Sequence, residues 1–356
     1  MSRDGKNYAP DMSGIAQVVE PGEFVFAASH FDHGHIYGQI KGLAQAGGVL
    51  KALYEPDDSR IASVRKDHPG VAVVQDFQEI LDDPDIHLVT SAAIPNRRCD
   101  IGLQVMHAGK DYLTDKAPFT TLDQLESAKA TVQATNQKYM VCYSERLCNE
   151  SAWHAGELIR AGALGHILQV LNLAPHNLAA ATRPAWFFDK TCTGGILTDI
   201  GSHQFEQFLY YTGASGGMVN FARVENFDNL DTPGLEDFGE VSLTLDTGAS
   251  AYSRIDWFNP AASRTWGDGR TFVLGTKGTL EIRKYIDVTR GEGDKIFLVD
   301  DQQEVEIDCR GKVGFPFFGQ LILDVLNRTE HAMSQDHAFK AAELSMQAQE
   351  IADQKR

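Results

Sequence analysis

The stretch FVFAASHFDHGHIYGQIKGLAQAGGVLKALYEPD, residues 24–57, decides the fold. An apolar run (Phe24–Ala28) enters a short polar turn, a segment with apolar residues at helical spacing follows near 36–46, and a second apolar run (Val49–Tyr54) ends on the acidic Glu55. This is the order strand, turn, helix, strand. It recurs: further strands are predicted at Ala72–Val74, Leu88–Ala92, Tyr112–Thr114 and Tyr139–Cys142, with helices near 59–67, 97–108 and 122–136. Short buried runs alternating with helices require a parallel sheet covered on both faces. Residues 21–145 are therefore expected to form a doubly wound α/β domain.

After residue 150 the pattern changes. Helices are predicted at 151–161 and 195–212 around a strand at 167–173, and the stretch 217–308 reads as strands joined by turns such as Asp246-Thr247-Gly248 and Gly275-Thr276-Lys277-Gly278. Alternation in Val241-Ser242-Leu243-Thr244-Leu245 marks a half-buried strand, so this second α/β domain, 146–356, should hold a large, mostly antiparallel open sheet. Two closing helices, about 315–327 and 336–353, are expected, and they can pack back on the first domain. Residues 1–20, polar and without period, are read as a flexible arm.

The chain has 356 residues, 43% of them hydrophobic, which is enough for two cores. A formal net charge of -17 repels phosphate backbones and anionic lipid, which argues against nucleic-acid or membrane partners. No apolar run is long enough to span a bilayer and the first residues lack a signal-peptide core. The five cysteines (Cys99, Cys142, Cys148, Cys192, Cys309) contain no CxxC pair, which fits free thiols in a reducing cytoplasm.

The turn after the first strand is where a dinucleotide's pyrophosphate would meet a helix N-terminus. Here it reads Ser29-His30-Phe31-Asp32-His33-Gly34-His35, with no GxGxxG. Gly34 allows close backbone approach, and Ser29, His30, His33 and His35 can donate to phosphate oxygens. The three histidines also suit a metal, but the sequence offers only Asp32 beside them, so no metal is expected. Glu55 at the end of the second strand favours ribose hydroxyls over a 2'-phosphate, hence NAD over NADP. Lys116, at the end of the fifth strand, is placed to point into the crevice at the carboxyl edge of the sheet. Asp199 and His203 stand four apart on a helix, where the carboxylate can orient the imidazole. A histidine base and a nearby ammonium are what removal of a hydroxyl proton, coupled to hydride loss from its carbon, requires.

The stretches DKAPFTTL (115–122), CYSER (142–146), RPAWFFD (183–189), GGILTDIGSHQFEQFLYYTG (194–213) and GTKGTLEI (275–282) together resemble the Gfo/Idh/MocA family, the glucose-fructose oxidoreductase and inositol dehydrogenase relatives. The resemblance runs from about residue 23 to 353. It implies an N-terminal Rossmann domain, a C-terminal α/β domain whose open sheet often mediates homodimers or homotetramers, a nicotinamide cofactor, and a pyranose, its derivative or a cyclitol as substrate. It places the family's catalytic lysine on Lys116 and its Asp-x-x-x-His pair on Asp199 and His203, with Pro95 and Asn96 near the cofactor. Three departures stand out: the glycine-rich turn is replaced, Ala117 separates Lys116 from Pro118, and Arg97 and Arg98 follow Pro95-Asn96 where relatives often have histidine. For the substrate, Arg146, Arg183 and Trp186 are expected in the pocket, with Tyr143 and His176 behind them. The leading expectation is a sugar, sugar-acid or cyclitol dehydrogenase. The alternatives are a lyase or glycosidase working through transient oxidation, and a binding protein that has lost catalysis.

Overall fold

The computed structural model describes Met12 and residues 14–354. These divide into two compact units, one made of the described residues up to 142 together with 315–338, the other of 143–314 and 339–354.

In the first unit the chain runs β1 (Val25–Ser29), α1 (His35–Gln45), β2 (Val49–Tyr54), α2 (Asp58–Asp67), β3 (Ala72–Val73), α3 (Phe77–Asp82), β4 (Leu88–Ser91), α4 (Pro95–His107), β5 (Asp111–Asp115), α5 (Leu122–Thr135) and β6 (Tyr139–Cys142). The six strands are all parallel and ordered β3-β2-β1-β4-β5-β6. That order reverses direction between β1 and β4, so the connections leaving the two strands' carboxyl ends turn to opposite faces of the sheet and leave a crevice there. Every residue of β4 and β5 is buried, as helices on both faces demand. The sequence reading misses α3, six residues long, although Asp76 and Glu79 form the capping box that starts it. Of the arm expected at 1–20, the described part is tied down: the Val18 N–H donates to Ala46 O and Val19 is buried. The rest of that stretch lies outside the described residues.

The second unit begins with α6 (Ser144–Leu147) and α7 (Glu150–Arg160), then β7 (Ile167–Pro175), α8 (Lys190–Thr193), α9 (Ile196–Asp199), α10 (Gly201–Thr212), β8 (Gly217–Glu225), β9 (Phe238–Leu245), β10 (Ser250–Asp256), β11 (Arg270–Gly275), β12 (Gly278–Arg283), β13 (Ile286–Asp287), β14 (Gly291–Glu292), β15 (Lys295–Asp300) and β16 (Glu304–Asp308). Eight strands form a sheet ordered β16-β15-β12-β11-β7-β10-β9-β8. It is antiparallel except where β7 pairs with β10. Burial alternates along β9 and β10, so one face packs on helices, chiefly α10, while the other stays open; Leu274 and Val299 on that open face are 44% and 45% exposed.

Helix α11 (Phe317–Asn327) returns to the first unit, where it packs on α1. Helix α12 (Gln335–Asp353) closes the chain. The single helix expected at 195–212 is divided: α9 ends at Asp199, and α10 begins at Gly201.

Candidate active site

In the first unit, two of the residues singled out at the sheet's carboxyl edge, His33 and His35, meet at one buried carboxylate. Asp115, at the end of β5, accepts a hydrogen bond from His35 Nδ1 at 2.8 Å and lies 3.5 Å from His33 Nδ1, while Arg98 Nη2 donates to it at 3.2 Å. Arg98, 1% exposed, also donates to Ala93 O and to the carbonyls of Lys116 and Ala117. Its guanidinium thus fixes the backbone on which the Lys116 side chain is carried. Lys116 itself is 4% exposed, and the peptide bond that follows it is cis.

The protonation states follow from burial and neighbours. Burial works against an ionised Asp115, but the charges of His35 and Arg98 outweigh it and hold the carboxyl well below the usual carboxylate range. Burial, then the neighbouring His35, pushes His33 well below its ordinary value. His30 is lowered to about 4, again mainly by burial; it sits at φ 53° with its ring against Tyr54 and Phe77.

Donor atoms of His33, His35 and Asp115 lie within 4.8 Å of one another, a set that could hold a metal ion. The sequence reading offers no carboxylate for these histidines beyond Asp32; folding brings Asp115 from eighty positions away in the chain to His35. In this structure that carboxylate is shared between Arg98 and the imidazoles, an internal ion-pair network. Asp32 instead pins the turn: it accepts from Arg60 Nη1 at 2.9 Å and from Ile94 N–H at 3.3 Å.

The fit of a dinucleotide can be judged from the turn itself. Its backbone donors are largely used internally: His30 N–H goes to Tyr54 O, Phe31 N–H to Glu55, His33 N–H to Ala92 O, and His35 N–H to His33 Nδ1. By contrast, Ser29 Oγ and His30 Nδ1 are buried and find no hydrogen-bond partner among the described residues. Glu55 stands at the end of β2, where a ribose would lie, and Asp32, Asp57 and Glu55 surround the single cation Arg60. This excess of negative charge fits ribose hydroxyls and disfavours a 2'-phosphate. Pro95 and Asn96 open α4 at the neighbouring strand end.

In the second unit, Gly194 and Gly195 enter α9 at φ 80° and 93°, the left-handed side that glycine tolerates. The first amides of α9 are satisfied by side chains: Ile196 N–H donates to Glu236 and Leu197 N–H to Gln349. Asp199 ends α9 and lines a small cavity with Glu236 and Trp257. His203 lies in the first turn of α10, 3% exposed, with the Tyr143 ring 6.3 Å away. Burial raises the Tyr143 hydroxyl well above its ordinary value, so it stays protonated.

His176 ends β7, its Nδ1 on Ala174 O and its Nε2 3.4 Å from Glu145 Oε1. Its ring packs against Trp257 and Trp266, and Trp266 packs against Tyr285. Arg183 lays its guanidinium over Phe187 and Trp257 and donates to Leu178 O. Trp186 is half-buried, with an Nε1 that has no hydrogen-bond partner among the described residues.

Arg146 is the correction. Expected to grip substrate, it is 2% exposed, forked onto Glu206 at 2.6 and 2.9 Å from Nε, and stacked 3.7 Å from the Tyr210 ring. A guanidinium so engaged is a core ion pair. The sequence reading also leaves out Arg98, Asp115, Glu145, Lys284, Trp257 and Trp266. Three of them stand in stretches the sequence reading singles out, Arg98 with Arg97 after Pro95-Asn96, Asp115 in DKAPFTTL and Glu145 in CYSER; Lys284, Trp257 and Trp266 give no signal.

A doubly wound sheet with its acidic strand end and buried strand-end lysine, joined in one chain to an open-sheet unit, has the architecture of the dinucleotide-binding Rossmann class. The chain belongs to the Gfo/Idh/MocA family. Residues 32–143 match the family's oxidoreductase model with NAD-binding Rossmann fold, and residues 153–281 match its C-terminal domain model. A candidate oxidoreductase of Erwinia carotovora atroseptica superposes with a TM-score of 0.90 at 41% identity, covering 93% of this chain and 99% of that one. Levoglucosan dehydrogenase of Pseudarthrobacter phenanthrenivorans is 29% identical over 173 residues, 48% of this chain and 44% of that protein. The scyllo-inositol 2-dehydrogenase (NADP(+)) of Bacillus subtilis is 25% identical over 221 residues, 60% of this chain and 61% of that protein. The chain thus aligns with less than two thirds of either dehydrogenase's length.

Proposed function

We propose that the protein transfers a hydride between NAD and a carbinol carbon of a sugar, sugar acid or cyclitol. The observation that carries this reading is Lys116: an amine buried at the carboxyl end of β5, its backbone carbonyl held by Arg98, which also pairs with the Asp115 carboxylate. A lysine is desolvated and held in this way where its charge is needed at a fixed point.

Ser29, His30, His33, Gly34 and His35 would receive the pyrophosphate, mainly through side chains because the backbone donors are engaged. Glu55 would take the ribose hydroxyls, and Pro95, Asn96 and Lys116 would flank the nicotinamide end. When bound, the nicotinamide supplies the hydride acceptor or donor. His203 acts as the base that takes the hydroxyl proton, Asp199 orients it, and the Lys116 ammonium stabilises the oxygen as negative charge develops on it. Tyr143, His176, Arg183 and Trp186 are the substrate side, joined by Trp257 and Trp266. Indole faces suit the apolar face of a sugar ring, and Arg183 suits vicinal hydroxyls or a carboxylate. Arg146 is not among them.

None of the five cysteines forms a disulfide, and no helix among the described residues is long and apolar enough to cross a membrane. We place the protein in the cytoplasm, and its assembly into homodimers or homotetramers on the open face of the eight-stranded sheet.

The test is thermal stabilisation by NAD+, NADH and NADP+, followed by a screen of sugars, sugar acids and cyclitols by nicotinamide absorbance. Stabilisation by NAD+ or NADH above NADP+, and turnover lost at least a hundredfold in Lys116→Met with cofactor binding retained, is expected. Unchanged turnover in that variant, or no stabilisation by any of the three nucleotides, would overturn the reading.

A further inference from the structure

The second unit carries a buried charge pair that the catalytic assignment above does not use. Glu145, 3% exposed in α6, and Lys284, 4% exposed just after β12, meet at 3.1 Å although 139 positions separate them in the chain. Taking both charges out of water is expensive, and an apolar pair of similar volume would often serve stability as well. What the pair touches points to another role.

Glu145 Oε2 also accepts from Gln204 Nε2 at 2.9 Å, and Gln204 is the residue after His203. Lys284 Nζ donates to Gln207 Oε1 at 2.9 Å, and Gln207 Nε2 donates in turn to the His203 carbonyl at 3.0 Å. The pair therefore grips α10 one residue and four residues beyond His203. On its other side Glu145 Oε1 faces His176 Nε2 at 3.4 Å. We propose that the buried Glu145–Lys284 pair is a positioning device for His203, holding the first turn of α10 through Gln204 and Gln207 and balancing the charge around the imidazole.

The electrostatics agree with the contacts. Burial disfavours the ionised form of Glu145, yet Lys284, then His203 and His176, hold its carboxyl well below the ordinary range. Glu145 thus favours an imidazolium at His203, and Lys284 offsets it so that the pair is neutral in sum. The ionisable groups packed about His203 in this unit include Tyr143 and Glu145 at α6, His176 just after β7, Lys284 after β12, Asp199 on α9, and the buried Glu206 three positions on along α10, which Arg146 neutralises. Of these, Tyr143 stays neutral. Arg146 is matched by Glu206, and Lys284 is the cation that matches Glu145, so removing Lys284 alone leaves the Glu145 charge uncompensated beside His203.

This inference rests on His203 being the base, and the experiment separates the two. The full-length protein is labelled with 15N-histidine, and the ring signal of His203, assigned by its loss in His203→Asn, is titrated in the wild type and in Glu145→Gln, Lys284→Met and the double variant. Lys284→Met should raise the His203 midpoint by about one unit and Glu145→Gln lower it by a similar amount, the scale of a partly screened buried charge. The double variant, with both charges gone, should return to within about 0.3 unit of wild type. Singles that fold and leave the midpoint unmoved would overturn the proposal. Should a single variant fail to fold, the double variant decides: kcat lowered at least fivefold with KM within twofold supports positioning, and unchanged kcat refutes it. Midpoints that move as described while His203→Asn keeps full activity would leave the pair's influence standing and sink His203 as the base.

Discussion

Replacing Asp115 with Asn keeps the side chain's size and removes its charge, which tests whether one carboxylate holds the cofactor edge together. Asp115 is fully buried and shared by His35 at 2.8 Å and Arg98 at 3.2 Å. In the variant, Arg98, 1% exposed, keeps its carbonyl partners Ala93, Lys116 and Ala117 but has no counter-charge. Breaking a buried pair from one side costs about 3–5 kcal/mol, and the surviving carbonyl bonds argue for the lower end, about 3 kcal/mol. At about 2–4 °C per kcal/mol for a domain of this class, Tm should fall by about 6–12 °C. Differential scanning calorimetry of the ligand-free protein at pH 7.5 measures this. The pH dependence supplies a second reading. The folded pKa of Asp115 lies below its unfolded value of about 3.9, so its contribution is complete well above pH 4 and is lost as pH falls towards the folded value. The gap between wild type and variant should hold from pH 7.5 to about 5 and narrow below 4. A Tm within about 2 °C of wild type at pH 7.5 would refute the reasoning, because it would correspond to less than about 1 kcal/mol.

Two more substitutions probe structural assignments. Arg146→Met should destabilise by about 3–5 kcal/mol because Glu206 is left charged in the core, while relative activity among substrates stays constant; denaturant unfolding and a substrate panel check both. Gly42→Ala on α1 would put a Cβ against the Phe318 ring of α11, so a loss of about 1–3 kcal/mol is expected in urea unfolding, and an unchanged midpoint would mean that α11 does not pack there as described.

The alternating strands and helices of the first 143 residues are legible because the signals are local. A short run such as Leu88–Ala92, bounded by polar turns and alternating with helical patterns, reads as a covered strand, and the period of α5 shows in Leu122, Leu125, Ala128 and Val132. The same locality places Lys116 and Glu55 just past the carboxyl ends of β5 and β2. It also places the Asp199–His203 pair on helical backbone, although the start of that backbone depends on Glu236 and Gln349, 40 and 152 positions away from the amides they satisfy. Arg146 was misread for a related reason: an arginine beside a predicted strand end looks available until α10 delivers Glu206 to it, 60 positions on.

By itself, then, the sequence determined most of the strands and the longer helices, the parallel character of the first sheet, and the chemical types standing at its carboxyl edge. Tertiary structure alone decided that Asp115 would bind His35 and Arg98 together, that Arg146 would be spent in the core, and that Lys284 would meet Glu145 beneath His203. Secondary structure follows from interactions over a few residues, whereas a buried charge takes whichever partner the crossovers bring to it, and single-chain patterning carries no record of that distance.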